Sequence, residues 1–130
     1  MTCLPGAELV WRCPYIILFT SDDGTVGGEG YCEYNLIKMC GENNGSNEYS
    51  ESRFTMKRTD RFRGWEEWRA ANKAGLECDI LTERKGNRIV LRTENSGVSM
   101  ECVTTVNEVP DKTYLALTGD EVVLTDIRIN

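Results

Sequence analysis

The chain has 130 residues, 40% apolar and 28% charged, with a formal net charge of −6 and no histidine. That length suits one hydrophobic core, so a single domain over residues 1–130 is expected, and the acidic balance excludes a broad nucleic-acid or anionic-membrane surface, which needs a basic face. The missing histidine excludes Ser-His-Asp and Cys-His nucleophile pairs, histidine-ligated metals and imidazole proton shuttles.

No apolar run is long enough to cross a bilayer. Met1 to Ala7 carry no positive side chain and Pro14 follows soon after, a pattern unlike a signal peptide. The six cysteines (Cys3, Cys13, Cys32, Cys40, Cys78 and Cys102) include no C-x-x-C pair, which leaves a zinc site unsupported. Most of them fall inside apolar strand patterns, where a free thiol behaves as a small hydrophobe, so reduced core cysteines and a cytoplasmic location are expected.

Taken in order, Leu9 to Trp11 and Tyr15 to Thr20 read as strands broken at Pro14. Tyr15-Ile16-Ile17-Leu18-Phe19 is apolar without alternation, which predicts a strand covered on both faces and central in its layer. Ser21-Asp22-Asp23-Gly24 reads as a turn and Val26 to Gly30 as a loop; the regular calcium-loop spacing and its distal glutamate are missing, so no metal is expected. Tyr31 to Cys40 predicts a strand with Cys32, Tyr34, Leu36 and Cys40 on one face and Glu33 and Asn35 on the other. The polar stretch Gly41 to Asn47 reads as a solvated insertion, and Arg53 to Arg58 as a strand with Phe54 and Met56 inward.

One helix interrupts the strands. Gly64 to Ala74 is rich in helix formers, Trp65 and Trp68 stand at i and i+3, and Gly75 is placed to end it. The tryptophans are expected to pack on an open end or edge of the sheets. Before the helix, Lys57, Arg58, Arg61 and Arg63 form a basic cluster that could be a solvated element end or an anion site.

From Leu76 onward the pattern is five short strands: Glu77 to Glu83, Arg88 to Glu94, Val98 to Val106, Thr113 to Thr118 and Glu121 to Ile129. Short gaps rich in Gly, Asn, Asp or Pro separate them, which predicts antiparallel neighbours and hence a β-meander. Cys78 with Ile80, Ile89 with Leu91, and Val123 with Ile127 and Ile129 mark its oily face. The fold class is therefore all-β, a two-layer antiparallel β-sandwich with one short helix near residues 64–74.

Glu77, Asp79 and Glu83 place three carboxylates on one strand. Paired carboxylates about 5 to 5.5 Å apart serve retaining glycosidases, and the spacing resembles the strand signature of laminarinase-like hydrolases. Leu81 and Thr82 nevertheless stand where those signatures carry the second glutamate. Arg and Lys partners on neighbouring strands account for the acids as a solvated face, and no catalytic residue is assigned.

Trp11 to Phe19, Ser21-Asp22-Asp23-Gly24, the Gly64-Trp65-x-x-Trp68 helix, Tyr114 to Asp120 and Leu124 to Ile129 together carry a resemblance. They are similar to an accessory module found in bacterial, especially clostridial, signalling proteins beside HD-type phosphohydrolase or diguanylate cyclase domains. The resemblance implies a concanavalin A-like or jelly-roll sandwich with a regulatory, ligand-binding role and no cofactor. It implies as partners a small molecule or carbohydrate and a signalling output domain in cis or trans, while the acidic charge speaks for no nucleic acid and no membrane. Aromatic planes and a guanidinium fork make Trp11, Arg12, Tyr34, Trp65 and Trp68 the candidate ligand contacts. The competing expectations are a carboxylate-based glycoside hydrolase using Glu77, Asp79 and Glu83, and an interaction module pairing through its last strand.

Overall fold

The computed structural model describes residues 2–5, 14–38, 42–43, 46–119, 122–125 and 127–129. Its strands are β1 (Thr2–Pro5), β2 (Pro14–Thr20), β3 (Cys32–Lys38), β4 (Glu42–Asn43) and β5 (Ser50–Arg58), then, after helix α1 (Trp65–Ala74), β6 (Leu76–Glu77), β7 (Asp79–Lys85), β8 (Arg88–Asn95), β9 (Val98–Val106), β10 (Tyr114–Gly119) and β11 (Val122–Thr125). Two four-stranded antiparallel sheets, ordered β10-β2-β3-β4 and β5-β9-β8-β7, carry most of the chain; a small sheet, β11-β1-β6, completes it.

One core joins the two large sheets. Ile16, Leu18, Tyr34 and Ile37 from the first pack with Ile89, Leu91, Cys102 and Val106 from the second. The expectation for the apolar run holds: β2 lies between β10 and β3, and Ile16 to Phe19 are all buried. Its outer face is covered locally, because Phe19 packs on the rings of Tyr31 and Tyr114, each 5.5 Å away.

The strict alternation expected of residues 31–40 fails at a bulge. Phe19 pairs with Glu33 and Leu18 with Asn35, so Tyr34 is the extra residue on β3. Beyond it the faces exchange: Ile37 enters the core and Asn35, 1% exposed, donates from Nδ2 to Cys102 Sγ at 3.2 Å. The Tyr34 carbonyl released by the bulge accepts from Ser50 Oγ at 2.7 Å, which satisfies a buried acceptor that would otherwise cost free energy.

The five-strand meander is corrected to three. β7, β8 and β9 pair in sequence as expected, but β10 crosses to pair with β2 and β11 pairs with β1. Arg84 fixes the crossing: its guanidinium donates to Gly86 O at 3.1 Å, Thr113 Oγ1 at 3.0 Å and Pro110 O at 2.6 Å. It thereby ties the segment between β9 and β10 to the β7–β8 turn. The last strand also ends earlier than its pattern suggests. Ile127 and Ile129, expected inward, are 49% and 95% exposed, and among the described residues neither has a sheet partner.

Helix α1 buries Trp68 and Asn72, one turn apart, against the end of the β5-β9-β8-β7 sheet. Trp68 packs with Val98 and Met100, joined by Phe54 and Phe62, and its Nε1 donates to Asn95 O at 3.2 Å. Trp65 stands edge-on to both Phe62 and Trp68 yet is 36% exposed, so only one of the two tryptophans is a core residue.

Candidate functional site

Helix α1, the β6–β7 junction and the β8–β9 turn enclose a cleft of about 530 Å³ lined by Arg61, Arg63, Glu67, Trp68, Ala71, Glu77, Cys78, Asp79, Glu94 and Ser96. Its volume lies within the range of small-molecule sites.

Local folding explains how these groups converge. The Gly86-Asn87 turn sets the β7–β8 register so that Asp79 stands opposite Glu94. Like charges directly opposed on a ladder are unfavourable. Arg61 answers them: its guanidinium donates to Glu94 Oε1 at 2.7 Å and is held above its ordinary pKa, chiefly by that hydrogen bond, then by the charge of Glu94, with Asp79 adding to it. The Gly97 amide also donates to Glu94 Oε1, at 3.3 Å. Arg61 and Arg63 are delivered by a turn that docks on the β8–β9 hairpin through Thr59 N donating to Gly97 O at 2.8 Å. Arg63 Nη1 donates to Asp60 O at 2.9 Å, inside its own turn.

The cleft keeps an acidic excess, with the carboxylates of Glu67, Glu77, Asp79 and Glu94 against the guanidiniums of Arg61 and Arg63. Among the described residues Glu67, Glu77 and Asp79 have no ion-pair partner. The cleft therefore offers carboxylates and two guanidiniums, Arg61 bound to Glu94 and Arg63 bound to its own turn, beside an apolar wall of Trp68, Ala71 and Cys78. Burial pushes the Cys78 thiol up to about 12, so this residue contributes to the lining a neutral, unreactive group. No group of three or more His, Cys, Asp or Glu able to hold a metal occurs among the described residues.

The expected ligand contacts fare differently. Trp68 lines the cleft with only 5% of its surface exposed, while Trp65 stands beside it and reaches solvent. Tyr34 is 3% exposed and packs between the sheets, where burial also raises its phenol pKa; a side chain so placed fills the core and does not meet a ligand. Trp11 and Arg12 lie outside the described residues. The acid triplet is divided: Glu77 and Asp79 line the cleft, whereas Glu83 lies 3.6 Å from Arg92 in an exposed cross-strand pair. The basic cluster is divided too, with Arg61 and Arg63 at the cleft and Arg58 over the Phe62 ring.

Sequence reasoning missed Glu67, Glu94 and Ser96. A signal for Glu94 existed, since counting outward from a two-residue Gly86-Asn87 turn sets it opposite Asp79. Glu67 and Ser96 gave none, because only the docking of α1 on the β8–β9 turn brings them to this opening.

No family model matches the chain, and no curated protein or solved structure matches it either. The chemistry of the cleft therefore rests on its own residues.

Proposed function

We propose that this protein is a non-catalytic binding module that takes a small polar ligand, a carbohydrate or other hydroxyl- or amine-bearing molecule, in the cleft beneath α1. The observation that carries this reading is the set of carboxylates without ion-pair partners, Glu67, Glu77 and Asp79, around a cleft with an apolar wall. Carboxylates accept hydrogen bonds from hydroxyls and ammonium groups, Arg63 adds a donor, and Trp68, backed by the edge-on ring of Trp65, supplies an aromatic wall. In this reading the sandwich is of the jelly-roll or concanavalin A-like type, for which the crossing of β10 between sheets speaks. The module is cytoplasmic and bacterial, and passes occupancy to a signalling output domain in cis or trans. The buried Cys102, which forms no disulfide among the described residues, supports a reducing compartment.

Tryptophan fluorescence and thermal shift against neutral sugars, amino sugars and small amines test the reading. A ligand that binds only the folded state raises the melting temperature by mass action. The Glu77→Gln/Asp79→Asn double variant is expected to weaken that ligand about 10-fold or more, since charge-assisted hydrogen bonds to it are lost. A ligand bound equally by the double variant removes the cleft from the reading.

A second reading is favoured by one observation: Glu77 and Asp79 share the cleft with Glu67 and Glu94, four carboxylates where glycoside hydrolysis needs two. Glu94 is engaged by Arg61 and by the Gly97 amide, and so is a poor candidate for the general acid. Turnover of a β-glucan by the parent protein, abolished in Glu77→Gln, would decide for the hydrolase.

A further inference from the structure

The β7–β8 ribbon carries a second like-charge pair at its other end. Lys85 and Arg88 flank the Gly86-Asn87 turn and stand directly opposite each other. Both are exposed, and among the described residues neither has an ion-pair partner. Two cations held face to face across a ladder repel one another unless an anion sits between them.

The surroundings suit one. Lys85, Arg88 and Arg92 border a hollow of about 190 Å³ floored by Val90, with Glu83 on its rim. Glu83 does not answer the pair: its carboxylate lies 3.6 Å from Arg92, which also donates from Nε to Glu101 at 2.7 Å. The charge of Arg92 is thus met by Glu83 and Glu101, and that of Lys85 and Arg88 is left over. The turn between them is fixed in advance. Gly86 adopts a φ of 58°, and its carbonyl is held by the Arg84 guanidinium, which also grips Pro110 O. A preset turn lets an ion bind without ordering a loop. Lys85 offers a point charge and Arg88 a planar fork suited to two oxygens of one anion.

We propose that Lys85 and Arg88, over Val90, form a binding site for a tetrahedral oxyanion, a phosphate or the phosphoryl group of a phosphomonoester. The site lies on the β7–β8 ribbon at the opposite end from the carboxylate cleft and is independent of it. It would give a strongly acidic chain one local seat for an anionic ligand.

Amide chemical shifts of the full chain, followed while inorganic phosphate is added at constant ionic strength, test this. The amides of Lys85, Arg88 and Val90 should shift along a saturating curve, and sodium chloride at matched ionic strength should leave them in place. Lys85→Gln/Arg88→Gln should weaken phosphate about 10-fold or more while its remaining spectrum overlays that of the parent, which shows that the fold survives. Glycerol phosphate identifies the source: tighter binding than inorganic phosphate marks a phosphomonoester site, and equal or weaker binding marks a site for the free ion. Shifts that never saturate, that chloride reproduces, or that persist in the double variant overturn the proposal.

Discussion

Cys78 shows what a single buried side chain does here. It is 2% exposed at the point where β6 gives way to β7, its Sγ lies 3.4 Å from Asp79 O, and burial raises its thiol pKa from 9.0 to about 12. The folded thiol thus keeps its proton where the unfolded one releases it. Its contribution to stability is complete below pH 9 and is lost as pH rises from 9 toward 12. Between pH 8 and pH 10 the parent protein should lose on the order of 1 kcal/mol more than a Cys78→Ala variant, read from urea unfolding at each pH. Equal losses in the two proteins would remove the thiol as the source. The burial of Cys78 was legible from its apolar neighbours on alternate positions. Its place beside a cleft was not, because that depends on α1, which periodicity within one strand does not register.

At the scale of elements, hairpins were legible and sheet assignment was not. The Ser96-Gly97 turn has φ of 47° and 85°, both positive as a two-residue type I′ turn requires, and the flanking alternation sets β8 against β9. The seven residues 107–113 between β9 and β10 carry similar turn chemistry, yet they change sheets. Alternation tells which side chains face the core and not which sheet presents them, so the long-range hydrogen bonds of Arg84 decide the crossing. The bulge at Tyr34 hid the faces of β3 for a related reason, since one extra residue reverses every side chain beyond it. Docking of the turn at residues 59–62 on the β8–β9 hairpin makes a prediction. A Cβ on Gly97 would fall on the Phe62 backbone nitrogen and 2.6 Å from its Cα, whereas a Cβ on Gly86, at a φ of 58°, meets open space. Gly97→Ala should therefore cost more than about 2 kcal/mol and Gly86→Ala only about 1 kcal/mol. Urea unfolding measures both, and amide exchange at Phe62 should accelerate only in the first. Similar costs for the two would mean that the turn is not seated on the hairpin as described.

The whole molecule segregates its charge. Its net charge is −6, yet the β7–β8 ribbon runs from Asp79 opposite Glu94 at one end to Lys85 opposite Arg88 at the other. An all-β sandwich was legible because half-buried strands alternate. The cleft was not, because its walls come from residues 61–71, 77–79 and 94–96, which only the folded chain assembles. Two electrostatic effects then compete. Salt screens the exposed ion pairs Arg61–Glu94, Arg92–Glu101 and Arg92–Glu83, each worth up to ~1 kcal/mol in folded proteins, and this destabilises. Salt also screens the opposed like charges and the net self-repulsion of the acidic chain, and this stabilises. The repulsive set is larger, comprising the opposed pairs Asp79–Glu94 and Lys85–Arg88, two further acids at the cleft, Glu67 and Glu77, and the net charge of −6. Sodium chloride from about 20 mM to about 500 mM, which shortens the screening length from roughly 20 Å to roughly 4 Å, should raise unfolding stability by about 0.5–1 kcal/mol. The Glu77→Gln/Asp79→Asn variant should show a flatter response, since part of that repulsion is already gone. A parent protein that loses stability over the same range would show that the ion pairs outweigh the repulsion, and with it that the cleft acids are neutralised within the free protein.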